Sequence, residues 1–532
     1  MRHAIVVGLD GLSWSILEEL FDRGVMSNVD ILRKNGSYTQ HNSIIPPFTV
    51  PAWTSLTTGV NPGKHGAYAF FMPKEDYSLA MITSKDVMYP RLHDICTMQG
   101  LNNVIINLPL SYPPTVFRGI MISDWLYPRF EVFPKEARGL VKDYVPYDPL
   151  WPKRDPADYV KAMLVGLEKR LKVIKRLFLK TKWNLFFLVF SEPDFLLHKI
   201  YDDILTGRGL AEEAYKVFDL IDSFIGWVMK NSPHGSILFL VSDHGFTSYK
   251  YVIHTNKILL NAGLIKLKIA ESKENLQKEK QKRKKKIYLP KFLYKLAIQN
   301  EKLRKIMSSL FHTLFGRNVV STYRTVVDPS SSIALMHHPD HFGVYLNSKS
   351  LFRNGLIKND DEEEIQSFLK NMLVNVKSPF INKKIFENVF MKDELFHGPH
   401  LKIIPHAILL PKKNYWITNS THGKIVERNR RINHSLEGIF AVHGEEVIQG
   451  ARIGKISIFD IAPTILHFLN LPIPHDTDGR VLLEIFKDNS QIKQRSIKKE
   501  NYLERWNISR KAKMLIKKRS RMHRSIRSEG CA

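Results

Sequence analysis

The chain has 532 residues, 44% hydrophobic and 25% charged, which suits one large domain with insertions or two to three domains and excludes a disordered or collagen-like polymer. Its 79 Lys and Arg outnumber 52 Asp and Glu, a formal charge of +27, so an anionic substrate or partner is expected. Cys96 and Cys531 are the only cysteines; a disulfide framework and a Cys-rich zinc module are both excluded, and any metal must be held by His and carboxylates.

In chain order, Ala4 to Leu9 is an apolar run of strand length that ends at Asp10, and Ser15 to Phe21 has the length of a short helix. Asn103 to Leu108 reads as a second strand, Ala157 to Lys180 as a long helix, Asn184 to Phe190 as a strand before Glu192, and Ser236 to Val241 as a strand before Asp243. A last strand-like run covers Gly438 to Val442. Alternation of this kind predicts an open, mainly parallel α/β sheet, with ligands at the carboxyl ends of its strands. The amino-terminal run is too short for a secretory segment, and no run, Trp183 to Phe190 included, reaches membrane-spanning length. The expectation is a soluble, cytoplasmic protein without a transmembrane segment.

Charge is concentrated in two places. Lys273 to Lys286 carries eight Lys or Arg against two Glu, and Gln491 to Ala532 carries fourteen against three, together 17 of the 27 excess charges. Both read as solvated surface, or more sharply as patches for nucleic acid or an anionic membrane surface. No RNA-recognition signature, zinc-finger spacing or internal repeat accompanies them.

Five places carry candidate chemistry. Asp10, in VGLDGLSW, follows a strand directly and can bind a cation or cap the next helix. In PPFTVPAWTSLTTGVNPGKHG, Thr49 stands in a Pro-punctuated turn before a helix-compatible segment, a capping position that can also aim its hydroxyl and nearby N–H groups at an anion. As a nucleophile that hydroxyl needs a base or a metal beside it. In SEPDFLLHK, Asp194 and His198 are four apart, so on a helix they form a surface pair or share one ion, with Glu192 the alternative carboxylate. VSDHGF sets Asp243 and His244 on one tight turn, from which two ligands diverge toward neighbouring ions. In RINHSLEGIFAVHG, His434 precedes a strand, while His422 in STHGK competes for the same role.

Taken in order, Asp10, Thr49, Asp194 with His198, Asp243 with His244, and a late His resemble the alkaline phosphatase superfamily, within it the prokaryotic branch of the type I phosphodiesterase/nucleotide pyrophosphatase family. PAWTSLTTGVNPGKHG, HTNKILLNAGLI and SIFDIAPTILHFLNLPIPHDTDGRVL carry the likeness to about Leu483. The resemblance implies an alkaline-phosphatase-like three-layer α/β sandwich over residues 1–490. Into it are set a cap at 246–420 with a basic insertion at 266–300; a basic helical tail follows at 491–532. It implies two divalent ions, zinc by family habit: one on Asp194, His198 and His434, the other on Asp10, Asp243 and His244, with Thr49 bridging toward the second as nucleophile. His434 is preferred to His422 because prokaryotic members place this His four residues before a Gly-Ile pair, here Gly438 and Ile439. Two departures stand out: the Asn that many nucleotide pyrophosphatases carry shortly after the nucleophile is absent, and the usual Gly-Pro after the last strand reads His443, Gly444, Glu445.

The activity so implied is hydrolysis of a phosphate ester, nucleotide-like or another diester, through a covalent phosphothreonine. A phosphomonoesterase or phosphotransferase on the same site is the alternative within enzymes, and a non-catalytic scaffold for nucleic acid or membrane surface the alternative outside them. A sulfatase is disfavoured, because neither cysteine lies in a CxPxR-type context, and so is a cofactor-independent phosphoglycerate mutase. Within the cap, His337, His338 and His341 in MHHPDH offer metal ligands but read first as a solvated loop, and Tyr323 and Arg324 as candidates for substrate choice.

Overall fold

A computed structural model describes residues 2–508 apart from 116, 128–129, 149–150, 272–286, 289–318 and 321–322. Most of the basic insertion and the tail beyond 508 lie outside the described residues, as does side-chain detail for Tyr323 and Arg324.

Ten strands form the main sheet. Those that position the site are β1 (Ala4–Leu9), β2 (Ser37–Asn42), β3 (Asn103–Ile106), β4 (Gly119–Ile122), β5 (Val132–Phe133), β6 (Leu185–Phe190) and β7 (Ile237–Val241). Next, β8 (Gly245–His254) and β9 (Val426–Ser435) leave the sheet as an antiparallel pair, and β10 (Glu437–His443) rejoins it. The spatial order is β2-β10-β7-β1-β6-β3-β4-β5. The five strands β7, β1, β6, β3 and β4 are parallel, while β10 and β5 run against their neighbours. The expected mainly parallel α/β sheet is therefore present.

Its strands are continuous apolar runs because both faces are covered. Ile5, Val7 and Leu9 join Phe186, Leu188 and Phe190 in a core with α2 (Pro156–Lys180), α3 (Glu192–Thr206) and α4 (Ala211–Asn231). Val6, Phe187, Val189 and Phe239 face the other way, onto α1 (Thr49–Thr58) and α5 (Ile461–Phe468). Helices on both sides of one sheet make the three layers. Ile492 and Tyr502 are buried in this second core, which carries the chain past residue 490 into the body of the fold.

Between β8 and β9, Ala334–Leu335, Gly343–Leu346, Ala407–Pro411 and Phe386–Met391 form a separate four-stranded sheet, beside the helix Glu362–Val374. Their apolar cluster takes in Phe48, the residue before Thr49. Here the reading of MHHPDH as a solvated loop is corrected. His341 is fully buried with Nε2 2.6 Å from the Phe71 carbonyl, and Asp340 accepts the Phe70 N–H at 3.0 Å. Asp340 and His341 are dry because they dock on the 68–71 segment, a long-range contact invisible in a polar local sequence, while His337 and His338 stay partly exposed. No helix among the described residues is long and apolar enough to cross a membrane.

Candidate metal and phosphoryl site

Strand ends build the site. β1 hands over to Asp10 and Gly11, β7 to Ser242, Asp243 and His244, and β6 to α3, whose first turn holds Asp194 with His198 one turn on. Pairing of Phe246 with His434 across β8 and β9 adds the late His. Thr49 is the first residue of α1 and is buried; the N–H groups of Thr49 and Val50 have no intrahelical acceptor, Pro51 has no N–H, and Ala52 donates to the Phe48 carbonyl at 3.0 Å. Gly11 has φ +77°, and a Cβ there would lie 2.8 Å from the Phe246 ring. Its N–H donates to Asp243 Oδ1 at 3.2 Å, tying the two strand ends together.

The geometry is that of lone pairs pointed at one another. His244 Nε2 lies 3.2 Å from Asp243 Oδ2, 3.8 Å from Asp10 Oδ1 and 3.4 Å from Thr49 Oγ1. His434 Nε2 lies 3.3 Å from Asp194 Oδ1 and 3.0 Å from His198 Nε2, which is itself 3.6 Å from Asp194 Oδ1. The rings of His244 and His434 stack at 3.7 Å. On their far sides, His434 Nδ1 meets the Pro47 carbonyl at 2.9 Å and His244 Nδ1 the Gly245 carbonyl at 3.2 Å. A carbonyl only accepts, so each Nδ1 carries a proton and each Nε2 is the atom turned inward, a bare lone pair on the neutral ring of His244.

Both oxygens of Asp10, with Asp194 Oδ1 and Asp243 Oδ2, are buried without a hydrogen-bond partner. Buried carboxylates facing imidazole lone pairs repel unless cations lie between them, and this is the fit expected of metal ligands. Two groups have ligand atoms within 4.8 Å of one another: Asp194, His244 and His434, and Asp10, Asp243 and His244.

Titration follows the same layout. Burial, reinforced by the charges of Asp243 and Asp194, pushes Asp10 well above the usual carboxylate range. Burial likewise lifts Asp243 to about 7. Asp194 is also disfavoured by burial, but the imidazoles of His198 and His434 outweigh it and hold the carboxyl down to about 2. Burial drives His244 well below its ordinary value, keeping the ring neutral.

All seven sequence candidates lie in or against this cluster. Two rival readings do not. His422 is exposed on the loop before β9, and Glu192 is taken by Arg170 Nη2 at 2.5 Å and by the Tyr147 hydroxyl at 2.8 Å. Asp10 is no helix cap, since the next helix, Trp14–Phe21, has Ser13 at that position. The sequence did not disclose His41, which lies buried on β2 with Nε2 2.6 Å from the Ser242 carbonyl. Ser242 in turn donates to the Leu12 carbonyl and accepts from Ile439 N–H, fixing the turn that bears Asp243 and His244. Its one signal was an inward place on a strand whose buried positions are Ser37, Thr39 and His41.

Carboxylates and neutral imidazoles at a sheet edge, beside a buried hydroxyl that starts a helix, define the class of metal-dependent α/β phosphoester hydrolases. The family model of type I phosphodiesterase/nucleotide pyrophosphatase matches residues 4–444, and the chain belongs to this family of phosphoric ester hydrolases. Comparison with curated proteins finds no match. Among solved structures, murine ectonucleotide pyrophosphatase/phosphodiesterase 5 is similar at 14% identity, over 89% of this chain and 97% of that one, with TM-score 0.49. Its human counterpart gives 15% identity, 88% and 95% coverage and TM-score 0.47. Phosphonoacetate hydrolase from Sinorhizobium meliloti, solved with phosphonoformate, gives 15%, 88% and 95%, and 0.48.

Proposed function

We propose that the protein hydrolyses phosphodiesters, nucleotide-like or other, through a phosphothreonine intermediate at Thr49. The observation that carries this reading is the convergence of unpartnered carboxylate oxygens and inward imidazole lone pairs beside the Thr49 hydroxyl. Asp194, His198 and His434 would hold one divalent ion, and Asp10, Asp243 and His244 a second. With imidazole and carboxylate ligands and no thiolate, zinc fits the set. Bound there, such ions supply Lewis-acid polarisation of the phosphoryl group and a lowered pKa for a neighbouring hydroxyl.

The chain's own groups do the rest. Thr49 is held rigidly at the start of α1, so its Oγ1 is presented to phosphorus without loss of rotational freedom at the moment of reaction. An Oγ1–P bond forms as the bond from phosphorus to the leaving oxygen breaks, and water then cleaves the Oγ1–P ester from the opposite side. The N–H groups of Thr49 and Val50 at the start of α1 would donate to a phosphoryl oxygen. The Nδ1 contacts to Pro47 and Gly245 keep His434 and His244 in the tautomer that offers Nε2 inward.

The test compares bis-p-nitrophenyl phosphate with p-nitrophenyl phosphate, zinc added, for the wild type and Thr49→Ala. Preferential diester cleavage that Thr49→Ala abolishes is expected. Monoester preference would move the site to a phosphatase, and undiminished turnover in the variant would remove Thr49 from the chemistry.

A further inference from the structure

Helix α2 presents a second surface that the hydrolytic site does not use. Its buried side carries Val160, Leu167, Ile174 and Leu177 into the core. On the outer side Lys161, Lys169, Lys172 and Lys180 are exposed, and none of the four has an ion pair or hydrogen bond among the described residues. Two aliphatic side chains stand among them: Val165 is 48% and Leu179 62% exposed. At about 100° per residue, Lys161, Lys172 and Leu179 fall within about 20° of one line along the helix, Val165 about 20° beyond it, and Lys169 and Lys180 about 60 to 80° to one side of Lys172. From Lys161 to Lys180 the stripe is about 28 Å long. Glu168 is the exposed acid within it.

Neighbouring segments extend the pattern on one side. Arg176 donates to the Leu140 carbonyl at 3.1 Å and pairs with Asp143 at 3.2 Å, which docks Lys135–Val141 beside the helix. Leu140 is 37% exposed, with Arg138 and Lys142 exposed around it; Glu136 and Asp143 are the acids on this flank. On the other side Lys175 is spent over the Trp227 ring of α4.

The exposed Val165 and Leu179 stand near the two ends of this basic stripe, and a nucleic-acid backbone gains nothing from them. Lysines that flank protruding aliphatics suit an anionic bilayer, where the ammonium groups meet the headgroups and the aliphatic tips enter the acyl boundary. We infer that this face of α2, with Leu140 beside it, docks the protein on an anionic lipid surface. Arg170, on the buried side of the same helix, is paired with Glu192 two residues before Asp194, so the docked helix is firmly joined to the element that bears the site.

The test uses the full chain with Cys531→Ser and Leu179→Cys, labelled with an environment-sensitive fluorophore, since Cys96 is buried. A matched label at Phe368→Cys, exposed on the Glu362–Val374 helix, is the control. With vesicles of phosphatidylcholine and phosphatidylserine at 7:3, the label at 179 is expected to shift to the blue and that at 368 to stay, with no shift on phosphatidylcholine alone. Replacing Lys169, Lys172 and Lys180 by Gln should weaken vesicle partitioning roughly 100-fold, each lysine near an anionic surface being worth roughly a factor of five. Hydrolysis of bis-p-nitrophenyl phosphate in solution should be unchanged, which shows the variant folded. Vesicle binding with no shift at 179 would overturn the assignment in favour of another basic segment. Equal protection of the 179 label by single-stranded DNA, with equal loss in the Gln variant, would overturn it in favour of a polyanion.

Discussion

Gly8→Ala tests how the sheet holds the Thr49 helix. Gly8 lies on β1 against the indole of Trp53, and a Cβ there would stand 2.4 Å from Trp53 Cη2 and 3.1 Å from Cζ2 and Cζ3. Carbon atoms pack at about 3.5 Å or more, so about 1 Å must be found somewhere. β1 cannot supply it, because β6 and β7 pair with it on both sides. Nor can the ring swing freely: Trp53 is fully buried and meets Phe187 edge-on. The displacement therefore falls on α1, and Thr49 begins that helix one turn before Trp53. Overpacking of this kind costs about 1–3 kcal/mol, and a shift of about 1 Å at a reacting atom costs about 100-fold in rate. Urea unfolding and steady-state kinetics on bis-p-nitrophenyl phosphate measure both, with kcat expected to fall and KM to change little. Adding Trp53→Phe removes the three clashing atoms and should restore at least tenfold of the lost kcat. Wild-type kcat in Gly8→Ala, or a loss that Trp53→Phe leaves untouched, would refute transmission through α1.

Chelated protein should show an inverted pH dependence at Asp243. Its folded carboxyl titrates near 7 against about 3.9 unfolded, so between about pH 4 and 7 the folded state holds a proton that the unfolded chain has released, and stability falls as pH rises, by up to about 4 kcal/mol. Urea titrations at pH 5 and 7.5 check this against Asp243→Asn, which should lack that component; equal slopes in the two proteins would contradict it. His434→Ala should lose bound zinc by elemental analysis while His422→Ala keeps it, and the reverse would exchange the two residues. Arg170→Leu strips the partner from buried Glu192, which costs about 3–5 kcal/mol; a variant as stable as the wild type in urea would show that the pair carries no such weight.

What could be read in advance depended on range. β1, β6 and β7 are uninterrupted apolar runs because both their faces are covered, and each gives way to an acid at or just beyond the sheet edge, so fold class and the carboxylates were legible together. His434 was legible only by likeness, since its place is set by pairing with Phe246 across 188 residues. The choice between Asp194 and Glu192 was hidden locally: it is made by Arg170, on a different helix, which claims Glu192. Asp340 and His341 of MHHPDH misled for the same reason, because their polarity is answered by the backbone of Phe70 and Phe71 rather than by water.

Among the described residues, the buried carboxylate oxygens left without a hydrogen-bond partner all lie at the candidate metal site. Elsewhere buried carboxylates find donors: Asp222 accepts from the N–H groups of Asn28 and Val29, and Asp124 from those of Ser111 and Leu126. At the sheet edge Asp10 accepts from nothing, and Asp194 and Asp243 each keep one bare oxygen. A chain selected for stability alone would fill that edge with apolar side chains or supply it with N–H groups. Instead the apolar strands and helices on both faces hold mutually repelling groups together, so that cation binding relieves repulsion already built into the fold. Much of the ions' binding free energy should therefore reappear as folding stability, and the carboxyl that relinquishes a proton near neutrality, Asp243, should make that gain steepest there.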